Sequence, residues 1–297
     1  MSKSDPSWEL YRSFLQVLRE GSLSGAARVL GMTQPTVGRH IERIEESIDA
    51  ALFIRTQQGL SPTHMALALR PYAEAMEATS AALLRVASSE GEEVRGTVRI
   101  TASDIIAVEV LPPILAKLHA AHPGLVIELV PSNRMQDLLL READIAVRML
   151  PPSQDVLVAR RIGSIELGLF GHRSYLDRHP PVTRIEALKD HALMGHDKET
   201  LSLRALVAQA PWLEGVNLAL RSDSDLALLG SLRAGFGLSL CQVALARRDA
   251  NLVRLLPEKI SLWLDTWLVM HEDLRDSPRY RVTFAALMEG LSSYVGA

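Results

Sequence analysis

At 297 residues with 47% hydrophobic content, the chain exceeds one small domain and has apolar material for more than one core. The single cysteine, Cys241, excludes an intramolecular disulfide, a two-cysteine redox switch and a cysteine-rich zinc site. Net charge is −3, no stretch approaches the ~18 uninterrupted apolar residues of a membrane span, and residues 1–6 lead into no secretion core, which predicts a cytoplasmic protein without a membrane partner.

Trp8, Leu10, Tyr11, Phe14, Leu15, Val17 and Leu18 have helical spacing and predict a first, supporting helix. Residues 22–46 then read as two short helices meeting at a tight turn. Ser24 is placed to cap the first, whose Ala26, Ala27 and Leu30 share a face; Gly31 permits the left-handed backbone that ends it. Thr33 is placed to cap the second, with Pro35 in its first turn, where a missing N–H costs nothing. At about 100° per residue Val37, Ile41, Ile44 and Ile48 fall on one side, so Pro35, Thr36, Arg39, Glu42 and Arg43 project outward. In a helix-turn-helix that outward face enters the DNA major groove. The Thr36 hydroxyl suits several base edges, and Arg39 can fork onto a guanine or grip a phosphate.

Residues 51–55 and 60–62 flank Thr56-Gln57-Gln58-Gly59 and predict a hairpin wing, with Arg55 a phosphate ligand and Gln57 or Gln58 either a minor-groove contact or plain solvent. Charge runs against this reading: residues 1–90 hold nine Lys and Arg against ten Asp and Glu, and Glu42, Glu45, Glu46 and Asp49 lie on the C-terminal half of the second helix. Contact with DNA is therefore expected at that helix's N-terminal turns. From Thr63 to Ser89 few breakers interrupt a helical pattern in which Met65, Leu69, Tyr72, Met76, Thr79, Leu83 and Val86 form a heptad seam, kinked at Pro71. Such a seam predicts a dimerisation helix about 40 Å long; the bland alternative packs it on its own chain.

Residues 88–93 read as a polar hinge, after which strands alternate with helices. Strands are expected at 98–102, 125–130 and 143–148, a short helix before a second opened by Pro112-Pro113, and a helix at 133–142; the succession implies a parallel sheet. Strands around Gly163 read as a crossing into a second lobe, where 216–220 and 237–240 are strand-like and 223–234 helical; 263–270 returns and 279–294 closes the chain.

Residues 8–72 resemble the DNA-binding end of the LysR-type transcriptional regulators: Phe14 and Val17, Gly21-Ser22-Leu23-Ser24, Ala26-Ala27, Leu30, Thr33-Gln34-Pro35-Thr36-Val37, Ile41, Ile44-Glu45, Leu52-Phe53 and Arg55. Gly38, Ile48-Asp49 and His64 depart from that family's serine, Leu-Gly and glycine. Thr101-Ala102-Ser103, residues 143–148, Ser222-Asp223 and Gly235-Phe236-Gly237-Leu238 are similar to the family's effector domain, a pair of Rossmann-like lobes like those of periplasmic binding proteins. The resemblance implies an α/β multi-domain protein: a winged helix-turn-helix at 1–62, a linker dimerisation helix at 63–90, and an effector domain at 91–297 with lobe I about 95–163 and 268–297 and lobe II about 164–267. It also implies promoter DNA, RNA polymerase, a small-molecule effector and further copies of the chain, two or four together, as partners. Thr33, Gln34, Pro35, Thr36, Arg39, Arg43, Arg55 and Gln57 are the expected DNA contacts.

Ligands of open α/β sheets bind beyond the strands' carboxyl ends, where helix N-termini offer free N–H groups. Ser103, Ser132, Asn133, Ser222 and Asp223 lie at such junctions and suit a small organic anion, Ser103 matching the family best; Arg148 offers a carboxylate partner, and Phe236 is grouped with them. Each also has an ordinary reading, as a cap or a surface ion pair, and Asp104 and Asp223 oppose an anion. An enzyme is disfavoured: there is no Gly-x-Ser-x-Gly, P-loop or His-Glu-x-x-His, and Gly235-Phe236-Gly237 lacks the third glycine of a dinucleotide site. No cofactor or metal is expected, His119 and His122 being a weak pair. An exported binding receptor and a degenerate head are the remaining rivals.

Overall fold

The computed structural model describes residues 6–56, 59–87, 93–133, 143–151, 157–198, 201–213 and 216–296, which fall into an N-terminal unit ending at Ala87 and a C-terminal unit from there on. In the N-terminal unit, helices α1 (Trp8–Glu20), α2 (Leu23–Leu30) and α3 (Gln34–Ile48) precede the antiparallel strands β1 (Phe53–Thr56) and β2 (Gly59–Pro62), and α4 (His64–Ala87) follows. Their apolar stripes close one core: Leu10, Phe14, Leu15 and Val17 of α1, Ala26 and Ala27, Val37, Ile41 and Ile44, Leu52, and Ala66 and Ala73 of α4. Ser13, fully buried, bonds His40 Nδ1 at 2.7 Å and so joins α1 to α3.

Local caps differ in two places from the sequence expectation. Ser22, not Ser24, caps α2: its hydroxyl accepts from the N–H of Gly25 at 3.1 Å, two residues earlier than expected. Thr33 precedes α3 but spends its hydroxyl on that of Thr36, 2.8 Å away, rather than on a backbone N–H. Gly31 does end α2 in the left-handed region, at φ 65°.

The C-terminal unit is built on one mixed sheet. Its first end holds β3 (Gly96–Ala102) between β4 (Leu125–Pro131) and β5 (Ile145–Arg148), all parallel, under α5 (Leu111–Ala121) and the closing helix α10 (Pro278–Val295). The other end holds β7 (Leu193–Gly195) parallel to β8 (Leu218–Arg221) and β9 (Leu238–Gln242), with helices α6 (Arg173–Leu176), α7 (Leu201–Gln209), α8 (Asp225–Arg233) and α9 (Val243–Ala246), and β10 (Leu252–Leu255). We call these ends lobe I and lobe II. Two long antiparallel strands, β6 (Leu157–His172) and β11 (Leu262–His271), run through both, so the sheet is mixed where a parallel one was expected. The expected separate strands around Gly163 are one strand; its register with β11 slips between Thr266 and Trp267, opposite Gly163, where a Cβ would lie 2.6 Å from Val295.

Between β3 and α5 the chain forms a π-turn at Ile106–Val110 continuous with α5, not two separate helices. Pro112 and Pro113 supply no N–H to the turn before them, and the wider π geometry relieves the clash of their rings with it. The carbonyl of Glu109, deprived of Pro113 as a donor, instead accepts from Arg248 of lobe II at 2.7 Å. Residues 134–142 of the helix expected at 133–142, residues 88–92 of the hinge expected at 88–93, and the wing tip Gln57-Gln58 lie outside the described residues.

Candidate DNA-reading face and inter-lobe cleft

α3 presents two unlike sides because its apolar residues recur at helical spacing. Val37 and Ile44 are wholly buried, whereas Pro35, Arg39, Glu42 and Arg43 are exposed on the opposite side, with Thr36 half-buried and Thr33 and Gln34 exposed at the helix start. Among the described residues no carboxylate pairs with Arg39, Arg43 or Arg55, so three guanidinium groups on the helix and the wing remain available to an anionic partner. Arg55 stands exposed on β1 opposite Leu60. Gln57 lies outside the described residues. One expected repulsive charge is absent: Glu45 turns inward and accepts from the N–H of Leu52 at 2.6 Å and of Phe53 at 3.3 Å, so its carboxylate anchors the base of the wing.

In the C-terminal unit the carboxyl ends of β3, β4, β7 and β8 meet in a cleft between the lobes. The β3 and β4 ends are fixed by Ser132 N–H donating to the Ala102 carbonyl at 2.8 Å, which sets Ser103 beside Ser132 and Asn133. Across from them, Ser222 N–H donates to Gly195 at 3.1 Å, joining the β7 and β8 ends. Asn133 spans the gap: its side chain accepts from the N–H of Asp104 at 3.2 Å and donates to Asp225 of α8 at 3.0 Å. His196, directly after β7, approaches the other Asp225 oxygen at 2.7 Å. Hydrogen bonding to Asp225 raises the His196 pKa above the ordinary histidine range, against the effect of burial. Burial, then the Asp225 charge, raises that of Asp104.

The sequence-predicted ligands divide accordingly. Ser103, Ser132 and Asn133 gather at the cleft with Ser222 and Asp223. Ser222 accepts from Ser224 N–H at 3.1 Å, and Asp223 accepts from Lys198 N–H at 2.9 Å and pairs with its ammonium at 2.8 Å, which lowers the Asp223 pKa. Arg148 is buried and directs its guanidinium at the carbonyls of Val147 (3.1 Å) and Ser132 (3.4 Å) and the Thr101 hydroxyl (3.0 Å), tying the three strand ends together instead of standing as a surface partner. Phe236 does not join the group: it is 45% exposed and precedes the start of β9, which pairs with the start of β7, so it lies at the strands' amino ends. His196 and Asp225 were missed as members of the cleft; the only sequence signal for His196 was its place after the short apolar run Leu193-Met194-Gly195. Among the described residues, no cluster of three or more His, Cys, Asp or Glu is arranged to hold a metal ion, and no helix is long and apolar enough to cross a membrane.

A family profile described as bacterial regulatory helix-turn-helix protein, lysR family, matches residues 8–67, and a second, the LysR substrate binding domain, matches residues 91–292. A Xanthomonas campestris HTH-type transcriptional regulator is 27% identical over 79% of this chain and 70% of its own length. The Escherichia coli regulator PgrR is 28% identical over 60% of each, and the Paracoccus denitrificans mau operon transcriptional activator is 30% identical over 55% of this chain and 57% of its own length. Among solved structures, Neisseria meningitidis CrgA, a LysR-type transcriptional regulator, superposes with a TM-score of 0.59 at 26% identity, covering 97% of this chain and 99% of that one. CbnR, at 15% identity and a TM-score of 0.66, shares the fold over 97% and 99% of the two chains. With an exposed helix-turn-helix face, a two-lobed sheet and matching profiles over both, the chain belongs to the LysR-type transcriptional regulators, proteins with a helix-turn-helix DNA-binding domain and an effector-binding domain.

Proposed function

We propose that this regulator reads promoter DNA through Thr33, Gln34, Pro35, Thr36, Arg39 and Arg43 of the α3 end, with Arg55 on a flanking phosphate, and that a small polar molecule held between the lobes biases that binding. The observation that carries the reading is the exposure of Arg39 and Arg43 on the α3 face opposite the buried Val37 and Ile44, and of Arg55 on the wing, none of them paired with a carboxylate among the described residues. Ser103, Ser132, Asn133 and Ser222 are the proposed ligand contacts, at strand ends that supply backbone N–H groups. An organic anion there would face Asp104 and Asp225, so it must bring hydrogen-bond donors or a positive group of its own. A second copy of the chain is the proposed partner of α4, and RNA polymerase the partner through which bound protein acts.

A footprint at fixed salt on the DNA flanking the protein's own coding region, wild type against Arg39→Ala, tests the DNA reading. Spaced protected half-sites are expected in wild type. Arg39→Ala should lose about 1–3 kcal/mol and discriminate less between sites if Arg39 reads a base. A uniform loss across all sequences assigns Arg39 to phosphate, and unchanged protection removes it from the interface.

A further inference from the structure

Many of the donors around the cleft are already occupied. At the strand ends the Ser132 N–H donates to the Ala102 carbonyl (2.8 Å), the Asp104 N–H to the Asn133 side chain (3.2 Å), the Ser222 N–H to the Gly195 carbonyl (3.1 Å) and the Ser224 N–H to the Ser222 hydroxyl (3.1 Å). The cations are engaged in the same way. Arg148 is turned onto the Val147 and Ser132 carbonyls and the Thr101 hydroxyl, Lys198 pairs with Asp223 at 2.8 Å, and His196 approaches Asp225 Oδ1 at 2.7 Å. Asp225 is served on its other oxygen as well, by Asn133 Nδ2 at 3.0 Å, and it opens α8, whose dipole favours a carboxylate. Asp104 is the exception. It follows Ser103 at the end of β3, and its carboxylate has no hydrogen-bond or ion-pair partner among the described residues. Burial and the Asp225 charge both act on it, both disfavour its ionised form, and no positive group among the described residues acts against them.

We propose that the molecule held between the lobes carries an ammonium group and that Asp104 is the residue that receives it. An ammonium brings a positive charge and N–H donors, which are what this part of the cleft lacks. Set against Asp104, it gives the carboxylate the partner its partial burial calls for and offsets the like charge of Asp225. A plain organic acid meets the reverse: a further negative charge beside Asp104, with neighbouring N–H groups already bonded. The chemical class is therefore an amine, either an amino acid whose own carboxylate turns toward Ser103 or a simple diamine. The assignment rests on the cleft being the effector site and adds to that reading the charge of its occupant. Asp104 has one ordinary alternative role, since an acidic residue at the start of a helical turn is stabilised by the helix dipole. That role and the ammonium role demand opposite effects when the charge is removed.

The charge can be removed before any ligand is in hand. Asp104→Asn keeps the side chain's shape and should raise the thermal midpoint of the ligand-free full chain, because it relieves a carboxylate held near another without a cation. A lowered midpoint would make Asp104 a helix-start acid and overturn the proposal. Calorimetric titration of the full chain then takes the common amino acids and short linear diamines, each beside its nitrogen-free analogue, the hydroxy acid or the diol. At least one amine should bind, its analogue should not, and Asp104→Asn should weaken the amine by about tenfold or more. A nitrogen-free acid that binds wild type and Asp104→Asn alike, and is lost in Ser103→Ala, keeps the cleft as the effector site and overturns the ammonium alone. Amine binding that neither variant changes moves the ligand out of the cleft and overturns both readings. No binding by any of the amines at millimolar concentration overturns the proposal as well.

Discussion

At the scale of single residues, the DNA-facing helix contains one glycine whose presence its surroundings do not require. A Cβ at Gly38 would meet only Leu23 Cδ1, at 3.7 Å, an ordinary contact, and its backbone is helical. Gly38→Ala should therefore stabilise the head by about 0.5–1 kcal/mol, read as a higher thermal midpoint. Unchanged DNA affinity alongside that gain would show that the departure from the family's serine is free of function; a loss of affinity would show that the DNA backbone approaches α3 at this point. Cys241 makes a second expectation: burial pushes its thiol up to about 12, so it should react with an aromatic disulfide reagent only on unfolding. Residues whose role is set by near neighbours in sequence were legible from it, as with Gly31, Pro35 and the buried Val37, Ile41 and Ile44. Glu45 was misread as a charge facing DNA because its partners, the N–H groups of Leu52 and Phe53, become partners only once the wing folds back. The cleft was half legible for the same reason: strand-end serines follow local rules, but Asn133 meets Asp225 across 92 residues and two lobes.

At the scale of elements, the wing is held by a glycine. Gly59 has φ 124°, and a Cβ there would lie 2.7 Å from the carbonyl oxygen of Gly21, which also accepts the Leu60 N–H at 2.8 Å. The turn after α1 and the second wing strand thus touch backbone to backbone. Gly59→Ala should cost about 1–3 kcal/mol and shift the wing, so a footprint should lose its flanking part before its centre. Loss of both together would mean that the wing and α3 engage DNA as one rigid piece. Elements with a strong period were placed well from sequence: α3, α4 and α10 lie within two residues of expectation. The π-turn was not, because paired prolines read equally well as the start of a new helix, and only the Glu109 carbonyl, taken up by Arg248, shows why the widened turn is tolerated. β6 was divided in expectation because Gly163 looks like a turn, whereas the structure uses it to let Val295 approach a continuous strand.

At the scale of the whole molecule, α4 carries an apolar seam that no described residue of its own chain covers. Ala66 and Ala73 face the core of the head, with Leu69 packed beside them, while Tyr72 is 71% and Leu83 64% exposed, and Met65 and Met76 lie exposed on the same side. Leu69 is thus drawn to the head and leaves the seam, and the side chain of Val86 lies outside the described residues. A stripe of this kind along a 24-residue helix is what a second copy would bury. The double substitution Tyr72→Asp, Leu83→Asp alters side chains that contribute little to the folded monomer, so the chain should stay folded by circular dichroism and sediment as a smaller species. Two heads on one operator gain from each other's presence, by a factor of about 10²–10⁴ when the geometry permits both to bind. The variant should therefore lose that factor on a paired half-site operator and almost nothing on an isolated half-site. Equal affinity losses on both operators would place the effect in the head itself, and an unchanged sedimentation coefficient would mean that α4 is not the surface through which copies associate.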